Sequence, residues 1–211
     1  RHSASAKTFL GLTIPENISA EDSIKLALDQ LMSVASVGPF LSRQLIQRFT
    51  TSNPSPAYIS RVTQAFNDGR YTLPNGTAVG GGLRGDLKAT IAAILLDREN
   101  LQPEAPNTFG KLREPVLRFT QWARAFNAGA ITPEYTVELY DLSSVSIYGQ
   151  GLAQHPFRAP SVFNFYRPGY VPPGTDSGAA GMTVPELQIL TTETIPAYMN
   201  FITFFAMANT Q

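Results

Sequence analysis

A chain of 211 residues is long enough to form one domain or two small ones, and to bury roughly 70% of its unfolded surface. Sixteen basic residues balance sixteen acidic residues, so the chain lacks the overall basic charge that usually accompanies nucleic-acid binding. No cysteine is present, which excludes disulfides, thiolate metal sites and cysteine nucleophiles.

The N-terminal segment, residues 1–18, is expected to be irregular, and a first helix follows over about residues 20–34. Large apolar residues recur in this helix at a spacing of three and four, which indicates an amphipathic helix. They are Ile24, Leu28, Leu31 and Met32.

Two helices joined by a stiff corner come next. The corner, Asn53-Pro54-Ser55-Pro56, is expected to be extended because residues before proline avoid the helical region. Pro39 belongs in the first turn of the preceding helix, Ser55 can cap the following one, and Gly69 ends it. The apolar faces of this helical hairpin are Phe40, Leu41, Leu45, Ile46 and Phe49, then Tyr58, Ile59, Val62, Ala65 and Phe66.

A glycine-rich excursion over residues 71–82 separates the hairpin from two further predicted helices. One runs over about residues 84–97, and the other over residues 112–128, with Pro115 either in its first turn or kinking it. In the second of these, Glu114 and Arg118 have the spacing of a side-chain ion pair. The earlier helix is expected to bury Leu87, Ile91, Ile94 and Leu95.

The last third of the chain is less regular. Residues 135–145 are compatible with a short strand, and the acid-free stretch 142–175, rich in proline and aromatic residues, predicts an ordered loop across the helices. Thr183 is expected to cap a final helical region that breaks near Pro196. The apolar residues within 194–211 are too few and too interrupted for a membrane span, which favours a buried core or interface helix.

Together these elements predict a mainly α fold. The expected architecture is an irregular multi-helix bundle with long ordered loops rich in proline and aromatic residues, forming a single helical domain over residues 1–211.

No motif identifies a catalytic centre. The glycine-rich residues 80–86 lack the lysine and serine or threonine of a phosphate loop, so a flexible inter-helix loop is favoured over an anion-binding loop. The only two histidines, His2 and His155, are not three or four residues apart, as a zinc site on one helix would require. No metal site and no cofactor are therefore predicted. A Gly-x-Ser-x-Gly elbow is absent, and the nearest acidic cluster is Glu134, Glu138 and Asp141.

The basic residues are mostly arginine, twelve against four lysines, and arginine suits partly buried bidentate pairs. Several of them lie at helix starts or beside apolar stripes, together with Asp86 and Glu114. An internal salt-bridge network would give each one a carboxylate or carbonyl partner, whereas an anion pocket would leave them converging on a cleft. The candidates are Arg43, Arg48, Arg84, Lys88, Lys111, Arg113 and Arg118.

Four motifs, in their order along the chain, closely resemble the bacterial DUF1800 family, and the similarity extends from His2 to Ile189. The role of that family is not established, so the resemblance implies no catalytic residues. The motifs are Gly38-Pro39-Phe40-Leu41-Ser42-Arg43-Gln44-Leu45-Ile46-Gln47-Arg48-Phe49, Gly85-Asp86-Leu87-Lys88, Gly110-Lys111-Leu112-Arg113-Glu114-Pro115 and Ala159-Pro160-Ser161-Val162-Phe163-Asn164-Phe165-Tyr166.

The resemblance implies an exported bacterial protein, located in the periplasm or outside the cell, of which this chain is the C-terminal part. Full-length members have a further helical N-terminal region and are commonly encoded beside proteins of the DUF1501 type. At residues 33–37 the chain reads Ser-Val-Ala-Ser-Val where the family has a His-Asn-Pro-like run, so no role of that histidine carries over. The excursion over residues 71–82 is also longer than in the family.

Two functions fit these observations. The first is a protein that acts through protein–protein contacts as one subunit of an assembly, with its own N-terminal part, a DUF1501-type protein or a second copy as partner. The second is an enzyme or binding domain that holds a phosphorylated, sulfated or carboxylated ligand in an arginine-lined pocket. Nucleic acid is expected in neither.

Overall fold

Helices dominate the computed structural model, as predicted, and the structure describes residues 2–103, 108–128, 151–155 and 157–207. The chain divides into two compact units, Arg1–Phe109 and Gly110–Gln211. The prediction of a single domain stays a prediction. The strand predicted over residues 135–145 and the acidic cluster Glu134, Glu138 and Asp141 lie outside the described residues.

The first unit begins with a β-hairpin at a place where the sequence predicted irregular structure. Strands β1 (Lys7–Phe9) and β2 (Leu12–Ile14) pair antiparallel, with Phe9 opposite Leu12. The two residues between them, Leu10 and Gly11, both have positive φ, which is the geometry of a tight two-residue hairpin turn. Strands this short leave almost no periodic signal, which explains the difference.

Five helices and a second small hairpin complete the first unit. Helix α3 confirms both predicted ends: Ser55 accepts a hydrogen bond from the Tyr58 backbone N–H at 3.0 Å, and Gly69 adopts the left-handed conformation at the C-terminus. The elements are α1 (Ala20–Ser33), α2 (Val37–Phe49), α3 (Pro56–Asp68), β3 (Tyr71–Thr72), β4 (Ala78–Val79), α4 (Leu87–Leu95) and α5 (Arg98–Leu101).

The core of this unit lies where α2, α3 and α4 meet. The apolar face predicted for α3 is confirmed, but the faces predicted for α2 and α4 are partly wrong, because Phe40, Phe49, Leu87 and Leu95 are exposed. Small residues allow these helices to approach closely, so Ser42 of α2 and alanines and a threonine of α4 are buried instead. The core residues are Ile46, Tyr58, Val62, Ala65, Ala93 and Ile94.

Tyr58 is fully buried in the core of the first unit, and its hydroxyl donates a hydrogen bond to the Ile94 carbonyl at 2.7 Å. Burial raises the pKa of Tyr58 to about 12. Because the folded state favours the protonated phenol, stability should be unaffected below the ordinary pKa of about 10 and should decrease as the pH rises towards 12.

We expect alkaline pH to destabilise the parent protein by about 2 kcal/mol more than the Tyr58→Phe variant, which lacks this phenol. At neutral pH the variant should be about 1 kcal/mol less stable, because the Ile94 carbonyl loses its donor. Urea unfolding of both proteins between pH 8 and pH 12 measures the difference. Parallel pH profiles would contradict the prediction.

The second unit contains helix α6 (Pro115–Ala125), the short helix α7 (Asp176–Ala179), a 3-10 helix (Pro185–Ile189) and the C-terminal helix α8 (Thr194–Met207). Pro115 occupies the first turn of α6, as predicted. The cap predicted at Thr183 is wrong, because the 3-10 helix begins after Val184. The predicted break near Pro196 is also misplaced: it lies between Ile189 and Thr194, and Pro196 is accommodated in the first turn of α8.

Aromatic rings join α6 to α8 inside the second unit. Phe119 lies 5.0 Å from both Phe201 and Phe205, measured between ring centroids, and Phe201 is buried. Leu152, from the predicted proline- and aromatic-rich loop, is buried in the same cluster. The C-terminal segment therefore includes a core helix, one of the two possibilities that its apolar composition left open.

No single helix among the described residues is long and apolar enough to cross a membrane, and only α1 and α2 taken together, with a 79° bend between them, reach that length and composition.

Candidate functional site

A polar pocket of about 570 Å³ opens in the first unit beside the start of α3 and the helix α5. The corner that precedes α3, the first turns of α3, the helix α5 and the segment after α5 line it. The lining consists of Asn53, Ser55, Ala57, Arg61, Arg98, Glu99, Gln102, Pro103, Thr108 and Phe109. Its volume falls within the range of small-molecule sites.

One wall of the pocket is held by Ser55 and Glu99. The Ser55 hydroxyl donates to Glu99 Oε2 at 2.5 Å, and the Ser55 backbone N–H donates to Glu99 Oε1 at 3.1 Å. Because Ser55 also caps α3, these bonds fasten α5 to the first turn of α3. Both carboxylate oxygens of Glu99 are thus engaged with the protein.

The lining residue Arg61 forms a bidentate ion pair with Asp97, which does not itself line the pocket. Arg61 Nε donates to Oδ2 at 2.7 Å and Nη2 donates to Oδ1 at 2.8 Å, and Asp97 is only 6% exposed. Asp97 also caps α5 by accepting from the Glu99 backbone N–H at 2.8 Å. The hydrogen bonds to Asp97 raise the pKa of Arg61, a shift that burial opposes and the charges of Asp97 and Glu99 reinforce. Arg61 is therefore a fixed cation.

A second arginine lines the pocket without such partners. Arg98 is exposed and forms no ion pair with any described residue. Among the described residues, the carboxylates of Glu99 and of nearby Asp97 are already paired, whereas Arg98 and the Nη1 group of Arg61 still have N–H donors directed to no described acceptor. The pocket therefore offers arginine N–H donors, and the described carboxylates beside it are occupied.

The second unit contains a buried charged cluster around the start of α6. Glu114 accepts hydrogen bonds from Tyr166 at 2.6 Å and from Gln154 at 2.7 Å. Lys111 Nζ lies 4.0 Å from Glu114 Oε1 and 3.2 Å from Glu186 Oε1, and the Glu186 side chain is 1% exposed. Such a network orders the loops against α6, because each buried polar group depends on the others for its partners.

The four basic residues of the first unit that were candidates for an anion pocket differ in their contacts and exposure. Arg84 donates to the backbone carbonyls of Met32 at 2.8 Å and Val34 at 3.1 Å and to the Asn67 side chain, and it lies over the Phe66 ring. It therefore ties together the loop after α1, the end of α3 and the start of α4. Arg43 and Lys88 are exposed and Arg48 is partly exposed; none of these three lines the pocket.

In the second unit, Lys111 lies between the two glutamates and Arg113 is exposed. Arg118 lies over the Tyr198 ring at 4.4 Å rather than forming the ion pair with Glu114 that its spacing allows. Arg84 and Lys111 thus have the carbonyl and carboxylate partners that the network interpretation requires, whereas Arg118 contacts an aromatic ring. A pocket built from all seven predicted residues stays a prediction.

The glycine-rich residues 80–86 use their backbone donors internally. The N–H of Gly81 donates to Asp86 Oδ2 at 2.7 Å, that of Gly82 to the Gly69 carbonyl at 2.9 Å, and that of Gly85 to the Phe66 carbonyl at 2.8 Å. Hydrogen bonds from the backbone N–H groups of Ala89 and Gly81 lower the pKa of Asp86. These amides are not available to an anion, which favours the inter-helix loop interpretation.

No group of three or more metal-ligating side chains occurs among the described residues. His2 Nε2 lies 3.2 Å from Lys7 Nζ, and His155 belongs to the second unit.

The residues of the pocket were not among the predicted candidates. Ser55 was recognised as a helix cap, but its bond to Glu99 joins positions 44 residues apart, and Arg61 and Asp97 are 36 residues apart. A single sequence carries no signal for such pairs. The usable local signal was Asp97, because aspartate is a common N-cap residue and here begins α5.

Comparison with known proteins adds a family and no activity. The model of a family described as "Protein of unknown function (DUF1800)" matches residues 1–208. No curated protein and no solved structure matches the chain.

Proposed function

The chain belongs to the DUF1800 family, and from that premise we propose that it acts through protein–protein contact as one subunit of an assembly. The family description supplies no activity. The proposal therefore depends on the molecular surface, and one feature of α1 carries it.

Helix α1 has its large apolar residues on the outside. Ile24, Leu28 and Leu31, at spacings of four and three, are 61%, 55% and 41% exposed; we call these three residues the α1 face. The only buried residue of α1 is Ser23. An amphipathic helix normally turns its apolar stripe to the core, so this arrangement is typical of a helix that awaits a partner surface.

The α1 face is bordered by charged residues. Lys25 Nζ lies 2.6 Å from Asp29 Oδ2, and this hydrogen bond raises the pKa of Lys25. Apolar residues beside a polar rim are the common anatomy of a protein interface. The partner that fits is a protein with an apolar helix or groove and few charges at its centre.

The α1 face is too small to hold a stable complex together by itself. Covering three half-exposed aliphatic side chains stabilises a complex by about 3 kcal/mol, less than the cost of association. A stable interface buries roughly 1,200–2,000 Å² in total. The partner must therefore contact additional surface, and the α1 face would form the central part of that contact.

The proposed location is the periplasm or the exterior of the cell, supported by the resemblance of the family to exported bacterial proteins. The chain's lack of cysteine is compatible with an oxidising compartment. The candidate partners are a DUF1501-type protein, an N-terminal part of a longer family member and a second copy of the chain.

We expect Leu28→Glu to release this chain from its native particle. The side chain is more than half exposed, so the free energy of unfolding should change by less than about 0.5 kcal/mol, whereas a carboxylate at an apolar interface should abolish the contact. Light scattering with native mass spectrometry, on particles isolated from the producing cells, measures the mass and composition of the particle.

The matched control is Val162→Glu, which introduces the same charge at a position that is 95% exposed in the second unit. This variant should keep the parent particle. A parent protein that is monodisperse and monomeric when isolated would overturn the proposal. So would a multi-chain particle that Leu28→Glu leaves intact. A particle of identical chains would identify a second copy as the partner, and a mixed particle would identify a different protein.

A further inference from the structure

The polar pocket of the first unit has the properties of a site for a small anion. Its two arginines differ in state: the Arg61 guanidinium is locked by Asp97, and the Arg98 guanidinium is free of described partners. The lock matters because a pre-positioned guanidinium loses little side-chain entropy when a ligand binds.

The pairing of the two carboxylates favours an anionic ligand over a cationic one. Asp97 accepts two hydrogen bonds from Arg61 and one from the Glu99 backbone, and Glu99 accepts two from Ser55. A cationic ligand would have to displace these bonds. An oxyanion needs only the unused N–H groups of Arg98 and of Arg61 Nη1, and the exposed Gln102 amide, which bonds to no described side chain, adds a further donor.

The rest of the lining indicates what the anion is attached to. Ala57, Pro103 and Phe109 contribute apolar surface to the same pocket. A volume of about 570 Å³ exceeds what a bare phosphate or sulfate needs and suits a small molecule with an apolar body.

We propose that this pocket binds a small molecule in which a phosphate, sulfate or carboxylate group is attached to a compact apolar body. The anionic group contacts Arg98 and Arg61, and the apolar body lies against Phe109. This site is distinct from the α1 face, so it stands or falls independently of the proposed assembly.

The test is isothermal titration calorimetry of the whole chain with phenyl phosphate, phenyl sulfate and benzoate at low ionic strength. We expect at least one of them to bind with a stoichiometry of one, more tightly than inorganic phosphate. Arg98→Gln should weaken that binding at least about tenfold, because a charge-assisted hydrogen bond is lost. Arg98 is exposed and forms no ion pair with any described residue, so this variant should fold like the parent.

The matched control is Arg43→Gln, which removes the same charge from an exposed arginine that does not line the pocket. Its affinity should stay within about twofold of the parent, because an exposed charge outside the pocket makes no direct contact with the ligand. Phe109→Ala should reduce the preference for the aryl probe over inorganic phosphate. The proposal is overturned if none of the three aryl probes binds, or if Arg98→Gln and Arg43→Gln behave alike.

Discussion

Replacing Gly69 with alanine should lower the free energy of unfolding by about 3 kcal/mol or more, because strain and a backbone clash act together. Gly69 ends α3 at φ +60°, a conformation that costs a side-chain-bearing residue about 1 kcal/mol. A Cβ placed there would also overlap the backbone N and carbonyl O of Leu83. Backbone atoms cannot turn aside as a flexible side chain does, so the loop before α4 would have to move.

The control for this prediction is Gly76→Ala. Gly76 has φ +85°, but a Cβ there meets nothing within 4 Å, so the variant isolates the conformational strain of about 1 kcal/mol. Urea unfolding followed by far-ultraviolet circular dichroism compares the two variants. Trp122, the chain's only tryptophan, separately reports on the second unit. Equal decreases in the free energy of unfolding of both variants would show that the Leu83 backbone moves aside without destabilising the protein.

Replacing Asp97 with alanine should lower the free energy of unfolding by about 3 kcal/mol. The substitution removes a bidentate ion pair with Arg61 and the cap of α5 at once. It leaves Arg61, whose side chain is 33% exposed, with Glu99 as its remaining charged neighbour at 3.5 Å. Because water still reaches part of Arg61, the loss should fall at the lower end for broken buried pairs.

Asp97→Asn provides the comparison, since asparagine keeps the cap and one neutral hydrogen bond. Its loss should be about 1 kcal/mol, measured by the same urea unfolding. A loss in Asp97→Ala as small as in Asp97→Asn would mean that solvent replaces the ion pair. In that case Asp97 does not hold Arg61 in place beside the pocket, and Arg61 is free to move.

The ends of most helices could be predicted because they depend on neighbouring residues. Ser55 with Pro56 at one end of α3 and Gly69 at the other act within one helical turn, and Pro115 marks the start of α6 in the same way. The β-hairpin that begins at Lys7 was not predicted, because strands of three residues are too short to show an alternating hydrophobic pattern.

The sequence predicted the type of residue that lines the candidate site but not the positions of those residues. Arginine-rich composition indicated ion pairs or an anion pocket, yet the pocket uses Arg61 and Arg98, neither of which was a candidate. Arg84 was a candidate and instead holds backbone carbonyls. Both outcomes follow from contacts between positions that are tens of residues apart.

The sequence by itself determined the helical class, the family, the absence of cysteine chemistry and most helix ends, because composition and local hydrogen bonding are properties of a chain segment. Only the tertiary structure decided which face of each helix is buried. The α1 face is as apolar as the buried stripe of α3, but α2, α3 and α4 pack closely through small residues, and α1 lies outside that core. The same packing brings Ser55, Arg61, Asp97 and Glu99 together, since burial and ion pairing depend on which segments meet in space.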